Sequence, residues 1–240
     1  MRLRRVAQHA AQKDWVSLGL EFLIVVTGVF LGVQLGNLNA ARSDRVAYEA
    51  ALDQLAEEID ANREIVAGYR ATYAPRIEDI EVALGVLESC SAQPGDPAKV
   101  NTALQALRST PGYYPRLSAL VDLTENDIFK RLQSPEERQA IQELRRILER
   151  VDEGSSFLEE IPFRTPIEEH PMVVYGSIEP AETDPGLRRL IELDVPLEQA
   201  CKDTTLLKKL YQYERLAAFT QVLADLADDA LDTAEATLDL

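Results

Sequence analysis

The sequence predicts an all-α protein: one N-terminal transmembrane helix followed by an antiparallel helical bundle with long first and last helices. Three observations predict it. Residues Phe22 to Ala41 read FLIVVTGVFLGVQLGNLNAA, twenty residues without a charge, and a hydrocarbon core takes about 20 apolar residues of helix to cross. Apolar residues then recur at spacings of three and four through most of the remaining chain, the period of a helix face. Strand patterns are nearly absent.

The anchor is assigned to residues 15–41, after a basic tail over residues 1–14. A cleaved signal peptide is the competing reading, but Leu38-Asn39-Ala40 is a poor cleavage site because Leu occupies the third position before the cut. Arg2, Arg4, Arg5 and Lys13 precede the span, whereas only Arg42 and Arg45 follow in the next twenty residues. Basic residues favour the cytoplasm, so the tail is expected there and the acidic domain, residues 42–240, in the periplasm of a bacterial inner membrane. Trp15 suits the entry interface.

At about 100° per residue, Glu21, Val25, Gly28, Gly32 and Asn39 share a narrow sector, with Gly36 at its edge. The doubled small-xxx-small spacing of Gly28, Gly32 and Gly36 lets helix backbones approach in lipid. This is the expected helix-packing interface, toward a copy of the chain or another membrane subunit. Glu21 is the ionisable residue nearest the span. It either stays wet at the headgroup level or, in a ring of copies, relays protons or ions. The span contains no His to serve as an axial ligand, and no cofactor is expected.

The chain carries a formal net charge of −16. Beyond residue 41 there are 21 basic and 39 acidic side chains, a net of −18. Such a domain lacks the Lys and Arg that phosphate contacts require, which excludes nucleic acid as a partner. Cys90 and Cys201 are the only cysteines. An even count in a periplasmic domain permits a disulfide, and two buried free thiols are the alternative. Two histidines, His9 and His170, and no Cys or His pair at ligand spacing argue against a metal site.

After the anchor, Tyr48, Leu52, Leu55, Ile59, Asn62, Val66, Tyr69 and Tyr73 form a heptad seam, with Asn62 as a polar residue that sets register. Nothing between Gly36 and this seam interrupts a helix, and Pro75 is expected to break or kink it. A second segment continues to Cys90 in a shifted phase. Residues 91–97 (SAQPGDP) form a loop. Helices are expected over about 98–108, 116–132 and 135–160. The last begins at Ser134-Pro135-Glu136-Glu137, with Ser as cap and Pro in the first turn. Residues 162–186 contain Pro162, Pro166, Pro171, Pro180 and Pro185; they are expected to form an irregular loop, a partner contact or a plain connection, with at most a short strand at residues 172–175. The last helix runs from about Leu197 to the end, with Leu206, Leu210, Tyr213, Leu216, Phe219, Leu223, Leu226 and Ala230 on its buried stripe. Its final turns are acidic without a basic residue. They fray, meet a basic partner, or form a solvated face.

The anchor resembles that of a broad group of uncharacterised bacterial single-pass membrane proteins. Ile24-Val25-Val26-Thr27-Gly28-Val29-Phe30-Leu31-Gly32-Val33-Gln34, then Asn37-Leu38-Asn39 and Arg42, carry the likeness, with Tyr114 and Leu117 matching a later Tyr-x-x-Leu segment. Ser118-Ala119-Leu120 lacks the glycine of that segment. The resemblance implies a membrane-tethered helical domain and transfers no catalytic residue.

The expected function is a non-enzymatic structural or accessory subunit. It docks on a larger membrane assembly, for which a respiratory or photosynthetic complex is one example, through the glycine face and the helical domain. The alternative is a self-oligomerising sensor-like or ion-conducting membrane protein that uses Glu21. The chain has no Gly-rich phosphate loop, nucleophile elbow or metal spacing to point to an enzyme.

Overall fold

The computed structural model describes residues 15–110, 112–178 and 189–240, with side chains from residue 19 onward. The basic tail, the Trp15 side chain, Pro111, Pro180 and Pro185 lie outside the described residues. Among these residues the protein is helical except for one two-stranded ribbon. Internal contacts divide the chain after Ala50, while the charge-free run ends at Ala41.

Helix α1 (Trp15–Ser89) supplies the whole of the first unit's described structure and the first helix of the second. In the first unit every described side chain from residue 19 to residue 43 is exposed. In the second, Leu55, Ile59, Asn62, Val66, Tyr69 and Tyr73 are buried, as a seam with alternating steps of four and three requires. Pro75 does not end the helix. It leaves the carbonyl one turn back without its usual donor, but Tyr73 before it and Ile80, Ala83, Leu84 and Leu87 beyond it are all buried, and packing on both sides holds the helix through the proline. Cys90 closes α1 in the left-handed region at φ 50°, a usual way to end a helix.

Helix α2 (Asp96–Ala106) starts after Gly95, whose φ of 94° suits glycine. The helix expected over 116–132 is two helices, α3 (Ser118–Glu125) and α4 (Asp127–Leu132). Asn126 separates them: its backbone is extended and its side chain accepts a hydrogen bond from the Ile128 N–H at 3.0 Å, so it caps a new helix rather than continuing the old one. Helix α5 (Pro135–Arg164) opens with a complete capping box. Ser134 Oγ accepts from Glu137 N at 3.1 Å and Glu137 Oε2 from Ser134 N at 2.6 Å. It buries Ile141, Leu144, Leu148, Val151 and Leu158 and runs through Pro162 to Arg164, so the irregular stretch expected from residue 162 begins only after Arg164.

Strands β1 (Val173–Ile178) and β2 (Arg189–Leu193) pair antiparallel. A short helix α6 (Leu197–Ala200) follows, and α7 (Thr204–Leu238) ends the chain. The last helix therefore starts at Thr204, not Leu197. Asp203 Oδ1 accepts from Thr205 N at 2.8 Å and Leu206 N at 2.9 Å, an N-cap that breaks the run between α6 and α7. The stripe of α7 also departs from expectation at Phe219, which is 46% exposed, while Thr220 is 1% exposed. Helix α7 buries Ala217, Ala224, Ala227 and Ala234, small residues that let α5 approach closely.

Residues 51–89 of α1 run antiparallel to α7, first helix beside last. Arg63 bonds Asp232 and Glu235, Arg70 bonds Asp225 and Asp228, and Glu88 bonds Tyr211. Cys90 and Cys201 close this side as a disulfide with Cα atoms 5.4 Å apart, within the usual bridging range. Helix α5 packs on the other side of α7, where Leu223 lies against Gly154.

Candidate functional site

Two features carry chemistry that a partner or ligand could read: the exposed anchor stretch of α1, and the α1–α7 seam of the second unit. In the anchor stretch, the best 18-residue window reaches a mean hydropathy of 1.8 with none of it buried. By length and composition this helix is able to cross a membrane. Phe22, Leu23, Ile24, Val29, Phe30 and Leu35 each expose more than half their surface, a continuous apolar face far larger than a water-facing helix carries.

Gly28, Gly32 and Gly36 lie on this helix with nothing within 4 Å of where a side chain would begin. The described chain leaves their faces open, so a second helix backbone has room to approach. Glu21 and Asn39 are exposed on the same helix, and among the described residues neither makes a hydrogen bond or ion pair within the chain.

On the seam, the acidic end of α7 is matched by arginines of α1. Arg63 grips Glu235 with both guanidinium nitrogens, at 3.2 and 2.6 Å, and reaches Asp232 at 2.8 Å. The bidentate bond holds the Glu235 carboxyl below its ordinary range. Arg70 reaches Asp225 at 2.6 Å and also bonds Asp228. The basic partner that the acidic turns lack in sequence is thus α1 itself, and α7 stays helical to Leu238.

Beside Arg70 lies a half-open groove of about 370 Å³ lined by Tyr69, Tyr73, Ala74, Ile77, Thr220 and Ala224. The Tyr69 ring packs tilted at 46° against Tyr73 with centroids 5.3 Å apart and meets Tyr113 edge-on at 6.1 Å. The Tyr69 hydroxyl is sealed from solvent; it lies toward Thr220 and Ser155 without hydrogen-bond geometry to either. Burial pushes the Tyr69 phenol up to about 12, and those of Tyr113 and Tyr213 higher. These hydroxyls stay protonated at neutral pH, so they are donors and not bases.

The segment before α3 is held by two side chains that sequence reasoning did not single out for this role. Asn62 donates to Arg116 O at 2.9 Å and accepts from Arg116 N at 2.7 Å. Glu58, one turn earlier, accepts from Ser118 Oγ at 2.7 Å, Ala119 N at 2.9 Å and Leu120 N at 3.4 Å. Asn62 therefore serves as a loop clamp, not as a register residue against another helix. Glu58 supplies from α1 the N-terminal cap that α3 lacks in its own sequence. The spacing Glu58-xxx-Asn62 on a buried face was the available signal.

His170 is buried beside the start of α7. Its Nδ1 accepts from Met172 N at 3.3 Å, and its Nε2 lies 3.5 Å from Asp203 Oδ1. Asp203 is held below the ordinary carboxylate range, chiefly by the N–H of Leu206 and then that of Thr205. No group of three His, Cys, Asp or Glu able to hold a metal occurs among the described residues. No family model, curated protein or solved structure matches this chain.

Proposed function

We propose that the chain is a single-pass inner-membrane accessory protein without catalytic activity. In this reading the glycine face of the anchor docks on another membrane subunit, and the acidic helical domain stands in the periplasm. The observation that carries it is the apolar stretch of α1, fully exposed, with open space at Gly28, Gly32 and Gly36. Lipid covers the apolar ridges, and a helix backbone fits the glycine line. The arginines before the span support a cytoplasmic N-terminus. The Cys90–Cys201 disulfide supports an oxidising compartment for the domain.

The test is purification in mild detergent with mass spectrometry of what accompanies the chain, repeated on a Gly28→Leu/Gly32→Leu double variant. Stoichiometric membrane subunits with the native chain and their loss in the variant are expected. Retention of the same subunits by the variant overturns docking through the glycine face. The second reading, an ion-conducting oligomer, rests on Glu21, exposed and unpaired in the described chain. Under that reading Glu21→Gln abolishes ion flux in liposomes; under the accessory reading the native chain shows no flux to lose.

A further inference from the structure

The β1–β2 ribbon has two outer edges, and they differ. Asp194 N donates to Met172 O at 2.9 Å. With the pairing of Val173 to Leu193 and Val174 to Glu192, this makes Met172/Asp194 and Val174/Glu192 the hydrogen-bonded pairs. The backbone groups of Ile191 and Leu193 then point outward on β2, and those of Val173 and Tyr175 outward on β1.

The outer edge of β2 is closed by side chains of α2. Ile191 N donates to Gln105 Oε1 at 3.2 Å, Gln105 Nε2 donates to Ile191 O at 2.6 Å, and Leu193 N donates to Asn101 Oδ1 at 3.0 Å. On β1, Val173 N is used locally by His170 O at 2.9 Å. Tyr175 is different: among the described residues nothing bonds its N–H or its C=O. Tyr175 is 60% exposed and Ile178 65%, and no charge occurs from Pro171 to Ile178. Natural edge strands are usually guarded by charge, proline or cover. The irregular pairing between Tyr175 and Ile178 and the Arg189 and Glu192 side chains of β2 at Gly176 are what guard this one.

We propose that the outer edge of β1 pairs antiparallel with β1 of a second copy of this chain, Tyr175 facing Tyr175 across a two-fold axis. A residue that presents one free donor and one free acceptor on the same edge is complementary to itself in that arrangement: each Tyr175 N–H donates to the other's C=O. The missing charge matters because the chain as a whole is strongly acidic and two copies repel over most of their surface; β1 adds no charge of its own to that repulsion, and the Glu192 carboxylate that lies beside Gly176 is accompanied there by the Arg189 guanidinium, which donates to Gly176 O at 3.5 Å. Because α2 closes the edge of β2, pairing stops at four strands and gives a closed dimer, not a filament. The ladder is short, so the dimer is weak and concentration-dependent. The inference stands independently of the glycine face.

The test is sedimentation of the full chain in mild detergent over a concentration series, with hydrogen exchange at the Tyr175 amide. Tyr175→Pro removes the edge donor, and Tyr175→Glu sets two carboxylates opposite one another across the two-fold axis while keeping the backbone donor. Both are expected to weaken association roughly tenfold or more with the helical circular dichroism unchanged, and the native Tyr175 amide exchanges more slowly as concentration rises. A native chain monomeric at every concentration overturns the proposal, as does a dimer that survives Tyr175→Glu. If Tyr175→Pro fails to fold, Tyr175→Glu decides alone. The Gly28→Leu/Gly32→Leu variant, run alongside, separates the two interfaces: dimerisation lost there and kept in Tyr175→Glu assigns the contact to the anchor and sinks the edge pairing.

Discussion

Asn62 and Arg63 are neighbours on α1, and their worth to the fold differs for a physical reason. Asn62 is 1% exposed and satisfies both backbone groups of Arg116. Asn62→Ala strands a donor and an acceptor near the core, at a cost of about 2–3 kcal/mol. Arg63 makes more bonds, but its partners Asp232 and Glu235 expose 72% and 40% of their side chains. Water screens those ion pairs, and Arg63→Ala is expected to cost about 1 kcal/mol or less. Urea melts of the two variants check the order; an Arg63→Ala loss larger than that of Asn62→Ala contradicts it. Glu58 belongs with Asn62. Glu58→Gln keeps one acceptor for the start of α3 but loses the charge that faces its N-terminus, and is expected to fall between the two.

The disulfide acts at the scale of elements. It joins the end of α1 to the segment before α7 and closes a loop with a sequence separation of 111, so its loss releases chain entropy worth up to about 4–5 kcal/mol. A Cys90→Ser/Cys201→Ser variant is expected to melt at clearly lower temperature, and reduction of the native chain to give the same shift. Equal melting with and without reductant contradicts this role. At this scale the sequence was legible where one helix suffices. The seam of α1 from Leu55 to Tyr73 and the face of α5 from Ile141 to Leu158 are periodicities of single helices, and they were readable from spacing. What pairing decides was not. The matching of Arg63 and Arg70 to acids on α7 depends on the relative register of helices more than 150 residues apart. The five residues of β2 show no strand signal alone, because Gln105 and Asn101 of a distant helix complete their edge. On α7 the apolar size of Phe219 misled, since close packing there favours Thr220 and the alanines. Pro75 sits inside a helix because flanking buried residues outweigh the lost hydrogen bond, and Pro162, itself buried, falls in the last turn of α5.

For the molecule as a whole, the second unit buries four phenols, three of them in ring contact at Tyr69, Tyr73 and Tyr113, and this sets its response to alkali. Tyr69, Tyr73, Tyr113 and Tyr213 are buried, and desolvation raises all four. A phenol whose folded value lies above its unfolded value of 10.0 binds its proton more tightly in the folded state. Its contribution to stability is therefore fully present below pH 10 and is lost as pH rises through the folded value, about 12 for Tyr69. Several phenols shifted in the same direction make the loss steep. Tyrosinate absorbance is expected to rise in two steps. The exposed Tyr114, raised chiefly by its hydrogen bond to Glu159, ionises with the helical circular dichroism intact, and Tyr69, Tyr73, Tyr113 and Tyr213 ionise only as helicity is lost. A single smooth titration of all eight tyrosines with helicity retained means that the tyrosine cluster is open to water, and the groove beside Tyr69 then reaches far deeper than its walls indicate.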